Sequence, residues 1–177
     1  KQLFPLKLLE SITATNSSLD PLLVISLIRQ ESAFNSKAVS SAGARGLMQI
    51  MLQTARMTRR GTKVRDLHNP KINLKIGAAY LSSLSRKYEG NLINTLSAYN
   101  AGENRVNRWV SKFMNLENPI LNVELIPFKE TRDYVKLIYR NIFYYNYLAN
   151  KTKLLTPIEA SFRVARAVAT TADPKSY

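Results

Sequence analysis

Helical periodicity constrains this chain most, because apolar residues recur at helical spacing and alternation with a period of two is nowhere sustained. Asp20-Pro21 and Asn69-Pro70 each place a capping side chain before a first-turn proline, which predicts helices over 21–34 and from 70 onwards. Further helices are expected over 4–15, 92–100, 103–113 and about 128–149, and a capping box at 156–159. The sequence therefore predicts an all-α protein.

The length and the breaks between helices favour one domain over residues 1–177. The chain is long enough to bury a sizeable core, and 45% of its residues are hydrophobic. No apolar run approaches the roughly 18 residues that cross a bilayer. The breaks at 36–45, 59–69 and 116–127 have the length of loops within a domain.

Several kinds of site are not indicated by the residues present. The chain has no cysteine, which excludes disulfides and thiolate metal sites. His68, the one histidine, is expected in a solvated loop before a helix, and nothing around it indicates a Ser-His-Asp site. We therefore expect no metal and no other cofactor.

The charge balance predicts a polyanionic partner. The chain carries 26 Lys and Arg against 12 Asp and Glu, a formal net charge of +14. Nucleic acid, an anionic membrane and the bacterial cell wall all fit this charge. No helix-turn-helix, RNP or zinc pattern is present, so the sequence does not indicate a specific nucleic-acid partner.

Glu31 is an acidic residue on an apolar helix face. It follows Val24, Leu27 and Ile28 by seven, four and three residues. Burial there would favour the protonated carboxyl group and raise its pKa, as a general acid near neutral pH requires. Position alone leaves two structural alternatives open, namely pairing with a buried Arg or Lys and rotation to the helix edge.

The stretch from Ser40 to Met51 combines small residues with a polar amide. Gly43 and Gly46 allow the backbone to approach a ligand closely. Gln49 offers an amide that both donates and accepts hydrogen bonds, which suits a sugar or its acetamido group. As an isolated string this pattern equally fits a structural loop.

Two further places carry polar groups with alternative interpretations. Tyr99 and Asn100 precede Gly102, where an amide at a helix end is normally a cap and otherwise a ligand-binding group. Glu130 and Tyr134 begin the long helix four residues apart, so both face the same way. An acid in a first turn usually serves the helix dipole, but an acid beside a phenol also suits a hydroxyl-rich ligand.

Four stretches in order resemble the soluble lytic transglycosylases of glycoside hydrolase family 23. They are Arg29–Phe34, Gly46–Met51, Ala98–Gly102 and Glu130–Val135. The helix carrying Asn73-Leu74, Gly77 and Tyr80-Leu81 is also similar to the family's helix between the second and third stretches. The resemblance covers about residues 18–147, which it identifies as a transglycosylase core.

The resemblance implies a lysozyme-like, all-α fold with a substrate cleft, related to goose-type lysozyme. It implies cleavage of the β-1,4 bond between N-acetylmuramic acid and N-acetylglucosamine, with formation of 1,6-anhydromuramic acid. Glu31 falls on the catalytic position, acting as acid and then as base. The substrate-binding positions are Ser32, Met48, Gln49, Tyr99, Asn100, Glu130 and Tyr134.

Three alternatives stay open. A goose-type lysozyme would hydrolyse the same bond with a second carboxylate, and the sequence does not say whether Asp66, Glu103, Glu130 or Asp133 takes that place. An inactive wall-binding domain is less consistent with the intact Glu31. A nucleic-acid binder rests on charge alone.

The resemblance also sets expectations about context. Peptidoglycan strands and an anionic wall surface are the expected partners, and cell-wall or secretion machinery is a further candidate. The protein is expected to be monomeric and periplasmic or otherwise exported in a bacterium.

The family usually has proline where this chain has Leu52, so that loop is expected to be less rigid. Nothing resembles the family's superhelical region, which leaves open a minimal enzyme or a catalytic piece. A C-terminal helix and tail are expected over 150–177, where Arg163 and Arg166 either face solvent or extend a basic groove.

Overall fold

The computed structural model describes residues 4–6, 8–14, 18–114 and 118–150. Within these ranges the chain is helical, with no strand beyond two isolated bridges that join Arg45 to Val39 and Ile50. The helices are α1 (Leu9–Thr13), α2 (Pro21–Ser32), α3 (Leu52–Thr58), a 3₁₀ turn (Val64–His68), α4 (Pro70–Lys87), α5 (Leu92–Ala101), α6 (Glu103–Lys112), α7 (Pro119–Glu124) and α8 (Lys129–Asn150). None of these helices has the length and apolarity that a membrane span requires. The predicted C-terminal helix and tail, with the capping box at 156–159, lie outside the described residues.

Side-chain caps start four of the described helices, α2, α4, α5 and α7, and in three of them the cap precedes a proline. The Asp20 carboxylate accepts a hydrogen bond from the Leu22 backbone at 2.7 Å, and Asn69 caps α4 in the same way. Asn118 caps α7 ahead of Pro119, so the prediction of a loop throughout 116–127 is wrong over the six residues of α7. The Asx-Pro pair marks a helix start at all three places.

Other helix boundaries differ from the predicted ones for identifiable reasons. Helix α2 ends at Ser32 because Ala33 and Phe34 adopt left-handed backbone conformations, with φ of 47° and 68°. Helix α3 was not predicted, because it has one buried residue, Ala55, and therefore no apolar stripe in its sequence. His68 ends a 3₁₀ turn and is half-buried, with its Nδ1 3.3 Å from a backbone oxygen, so its prediction as a solvated loop residue is wrong.

The core is centred on α2 and α8, which pack more extensively than any other described pair of helices. Six consecutive residues of α2, from Leu23 to Ile28, are buried, as expected of a helix surrounded by others. Helix α8 buries the predicted stripe of Tyr134, Ile138, Ile142 and Tyr145. A buried amide, Asn141, donates to the Ser26 carbonyl at 3.3 Å. These contacts fix the two helices that carry Glu31 and Tyr134.

Candidate active site

Glu31 lies in the last turn of α2, one residue before the helix ends. The residue keeps some exposed surface, but protein encloses its carboxyl group. Burial raises the carboxyl pKa from 4.5 to about 7, although the hydrogen bond from Tyr134 lowers it in part. The negative end of the α2 dipole acts in the same direction as burial. Both protonation states of Glu31 are therefore populated near neutral pH.

A hydrogen bond from α8 orients the Glu31 carboxyl group. The Tyr134 hydroxyl donates to Glu31 Oε1 at 2.5 Å, across 103 residues of sequence. Within the described ranges Oε2 has no hydrogen-bond partner, and no Arg or Lys pairs with this carboxyl group. A donor at Oε1 leaves Oε2 as the oxygen that carries the acidic proton. In the part of the chain that the structure describes, Glu31 neither forms a buried ion pair nor turns its carboxyl group to the helix edge.

Tyr99 of α5 also lies near the Glu31 carboxyl group. Its hydroxyl donates to the Met48 carbonyl at 2.8 Å, and its ring centroid lies 5.4 Å from that of Tyr80. Burial, and then the negative charge of Glu31, hold the pKa of Tyr99 well above its ordinary value. The pKa of Tyr134 is raised by the same two causes. Two neutral phenols therefore stand near the Glu31 carboxyl group.

The loop over residues 46–49 is held against the end of α2. Ser32 donates from its hydroxyl to the Leu47 carbonyl at 2.8 Å. Gly46 has a φ of +79°, and a Cβ there would lie 2.2 Å from a carbonyl oxygen of the 3₁₀ turn. The Gln49 side-chain nitrogen donates to the Gly46 carbonyl at 2.9 Å. The same nitrogen donates to the Ala38 carbonyl at 3.3 Å, so the amide predicted to bind a sugar uses its donor within the protein and has its Oε1 left for other contacts.

Asn73 anchors this loop from α4, and sequence reasoning did not assign it a role. Its fully buried side chain donates to the carbonyls of Arg45 and Leu67, each at 2.9 Å, and accepts from the Met48 N–H at 2.8 Å. One turn later, a Cβ on Gly77 would lie 2.4 Å from the Met48 sulfur. A polar residue and a glycine four positions apart on one helix face were the available signal of this close approach.

The other predicted substrate-binding residues lie in different environments. Asn100 accepts a hydrogen bond from the Thr131 hydroxyl at 2.7 Å, which ties the end of α5 to the start of α8. Glu130 is exposed, and its carboxylate has no hydrogen bond or ion pair with any described residue. Met48 is fully buried, so its side chain supports the loop while its carbonyl meets Tyr99. The substrate-binding roles of these residues stay predictions.

Among the described residues no second carboxyl group contributes to the raised pKa of Glu31. Glu103 and Asp133 each form an ion pair with a lysine at 2.5 Å, and Asp66 accepts from the backbone N–H of the residue that precedes the 3₁₀ turn. Burial and Tyr134 are the causes of the Glu31 pKa shift, and no other acid contributes. In the part of the chain that the structure describes, no three acidic or histidine side chains gather as a metal site would require.

Comparisons of sequence and of structure with known proteins both find lytic transglycosylases. Residues 9–122 match the family described as Transglycosylase SLT domain. The soluble lytic murein transglycosylase of Salmonella typhimurium is 37% identical over 142 residues, which cover 76% of this chain and 22% of that protein.

Two solved structures share the fold. The first is an inactive glutamate-to-glutamine mutant of lytic transglycosylase Slt from Pseudomonas aeruginosa, with a TM-score of 0.79, 34% identity, and coverage of 88% of this chain and 26% of that one. The second is the 70 kDa soluble lytic transglycosylase of Escherichia coli, with a TM-score of 0.76, 35% identity, and coverage of 82% and 25%. The predicted fold is confirmed, and the chain spans 22–26% of the length of these relatives.

Proposed function

This chain belongs to the transglycosylase SLT domain family, and on that premise we propose that it is a peptidoglycan lytic transglycosylase. It cleaves the β-1,4 bond between N-acetylmuramic acid and N-acetylglucosamine and forms 1,6-anhydromuramic acid. The observation that carries the proposal is the single buried Glu31 carboxyl group, with Oε1 bound by Tyr134 and Oε2 left open.

The first step uses Glu31 as an acid. Its Oε2 proton passes to the glycosidic oxygen as the bond from that oxygen to C1 of the muramic residue breaks. The substrate's own acetamido oxygen stabilises the positive charge that develops at C1. Tyr134 then stabilises the new carboxylate through its hydrogen bond to Oε1.

The second step uses the same group as a base. The Glu31 carboxylate removes the proton from the O6 hydroxyl of the muramic residue, and O6 attacks C1 to close the anhydro ring. Glu31 returns to its protonated state and no water is consumed. A pKa of about 7 suits one group to both roles, because neither protonation state is strongly favoured at neutral pH. Holding O6 beside C1 also makes the attack intramolecular, which gains from proximity.

The remaining assigned residues are proposed to hold the sugar chain. Tyr99 and the 46–49 loop form one side of the site beside Ser32, while Asn100 and Glu130 lie at the junction of α5 and α8. The exposed Glu130 carboxylate is free to accept hydrogen bonds from sugar hydroxyls. The proposed substrate implies a periplasmic or otherwise exported setting, with peptidoglycan strands as the partner.

Digestion of purified sacculi followed by mass spectrometry of the released muropeptides tests the proposal. We expect products that end in 1,6-anhydromuramic acid. Reducing ends heavier by one water would instead establish hydrolysis, and so the goose-type alternative.

Glu31→Gln is the matched control for this digestion. The substitution keeps the side-chain size and an acceptor for Tyr134 but removes the acid, so product release should cease while the circular dichroism spectrum is unchanged. A glutamate-to-glutamine mutant is the inactive form of the Pseudomonas aeruginosa relative. Undiminished product release from this variant would refute the assignment of Glu31.

A further inference from the structure

A strongly basic turn joins α3 to the 3₁₀ turn before α4. Residues 56–65, here called the basic turn, contain five cations and no acid: Arg56, Arg59, Arg60, Lys63 and Arg65. All five are exposed, as are Lys71 and Lys75 on the following helix. In the described ranges none of these seven side chains forms an ion pair, whereas three ion pairs occur elsewhere. The positive charge of the basic turn is therefore available to an external anion.

Two apolar side chains stand exposed among these cations. Met57 is 76% exposed, more than any other large hydrophobic residue that the structure describes, and Val64 is 42% exposed. Met57 directly follows Arg56, and Val64 lies between Lys63 and Arg65 in sequence. Apolar side chains exposed between cations are typical of surfaces that meet an anionic membrane, where the cations contact headgroups and the apolar tips enter the acyl boundary.

Internal hydrogen bonds give the basic turn a defined shape. The buried Thr62 donates from its hydroxyl to the Arg59 carbonyl at 2.7 Å, and its own carbonyl accepts from Arg56 Nε at 3.2 Å. Gly61 supplies the positive φ of 81° that the reversal needs, with open space around it. The cations and the two apolar tips are thus presented on a fixed scaffold.

The basic turn contains none of the residues assigned to the candidate active site. Burial and Tyr134 account for the pKa of Glu31, and no cation of the basic turn contributes. We propose that the basic turn docks this protein onto an anionic phospholipid bilayer, with Met57 and Val64 inserted beneath the headgroups. A hydrated glycan or a nucleic-acid backbone would neutralise the cations but offers no apolar layer for these two side chains.

Co-sedimentation of the full chain with vesicles tests this proposal. We expect binding to phosphatidylcholine vesicles that contain phosphatidylglycerol and little binding to phosphatidylcholine alone. The double variant Arg59→Gln/Arg60→Gln should lower the partition coefficient by about fivefold for each cation removed. Met57→Ser should lower it by about tenfold and should leave less binding than wild type at high salt.

A matched variant distinguishes a docking site from general attraction. Arg108→Gln/Lys112→Gln removes two exposed cations of α6 and the same net charge, and should leave vesicle binding within about twofold of wild type. The proposal is overturned if this control loses as much binding as the double variant, or if Met57→Ser has no effect. It is also overturned if the basic-turn variants keep vesicle binding but lose binding to duplex DNA or sacculi. Muropeptide release from solubilised substrate should be unchanged throughout, which separates this test from that of the proposed reaction.

Discussion

The buried carboxyl group of Glu31 should cost the protein stability in a way that depends on pH. Its pKa is about 7 in the folded chain and 4.5 without burial. Below about pH 4.5 both the folded and unfolded states hold the proton, so the group is neutral in each. As the pH rises towards 7 the unfolded state releases its proton first, and the free energy of unfolding falls. Above about pH 7 the folded state carries a buried charge and the loss is complete.

The size of this effect follows from the pKa difference. A rise from 4.5 to about 7, at about 1.4 kcal/mol for each unit, gives about 3 kcal/mol of destabilisation at alkaline pH. Glu31→Gln removes the charge while its amide oxygen can still accept from Tyr134. The variant should therefore match wild type near pH 4.5 and exceed its free energy of unfolding by about 3 kcal/mol near pH 8.

Urea unfolding of both proteins across this pH range is the assay. Titrations elsewhere in the chain cancel in the difference between the two proteins, so its pH dependence reports Glu31. Glu130→Gln, the same substitution at an exposed site, should stay within about 0.5 kcal/mol of wild type at both ends of the range. A difference between Glu31→Gln and wild type that does not change with pH would refute the reasoning, and so would a variant less stable than wild type near pH 8.

Three further substitutions test the contacts around this group. Tyr134→Phe removes a hydrogen bond that lowers the pKa of Glu31, so the alkaline limb of the pH–rate profile should move up by about one to two units; an unmoved limb counts against the contact. Gly77→Ala forces a Cβ against Met48 and should lower the free energy of unfolding by about 1–3 kcal/mol in urea, whereas an unaffected midpoint would mean the loop has room to shift. Thr131→Val leaves Asn100 Oδ1 without its donor and should lower the free energy of unfolding by about 1–3 kcal/mol in thermal unfolding. Thr131→Ser keeps the hydroxyl donor and is the control.

The sequence predicted those helices that begin with a capping residue and proline or carry an apolar stripe. Asp20-Pro21 and Asn69-Pro70 start helices as expected, and the apolar stripe of α8 faces the core. Helix α3 was not predicted, because a short helix with one buried residue has no periodicity to detect. Helix α2 ends two residues earlier than predicted because Ala33 and Phe34 take left-handed conformations. Neither residue type favours such a turn, so residue spacing does not reveal it.

The candidate site shows the same division between local and distant information. The place of Glu31 on an apolar face was readable from residues within one helix, and its raised pKa agrees with that position. Its hydrogen bond to Tyr134 depends on how α2 packs on α8, and helical spacing holds no information about that packing. For Asn73 the sequence offered only its spacing from Gly77 and the likeness of their helix to the family's, because its three partners lie on other segments.

The anchoring of the 46–49 loop has a consequence for laboratory evolution of this domain. Within the described residues the Asn73 side chain forms its hydrogen bonds with main-chain atoms alone, namely two carbonyls and one N–H. Replacing the half-exposed side chains of Arg45 and Gln49 therefore leaves those three hydrogen bonds in place, provided that Gly46 is kept. A library varied at these two positions therefore keeps the Asn73 anchor, but each Gln49 substitution gives up the hydrogen bond to the Gly46 carbonyl and must adopt a φ of 47°.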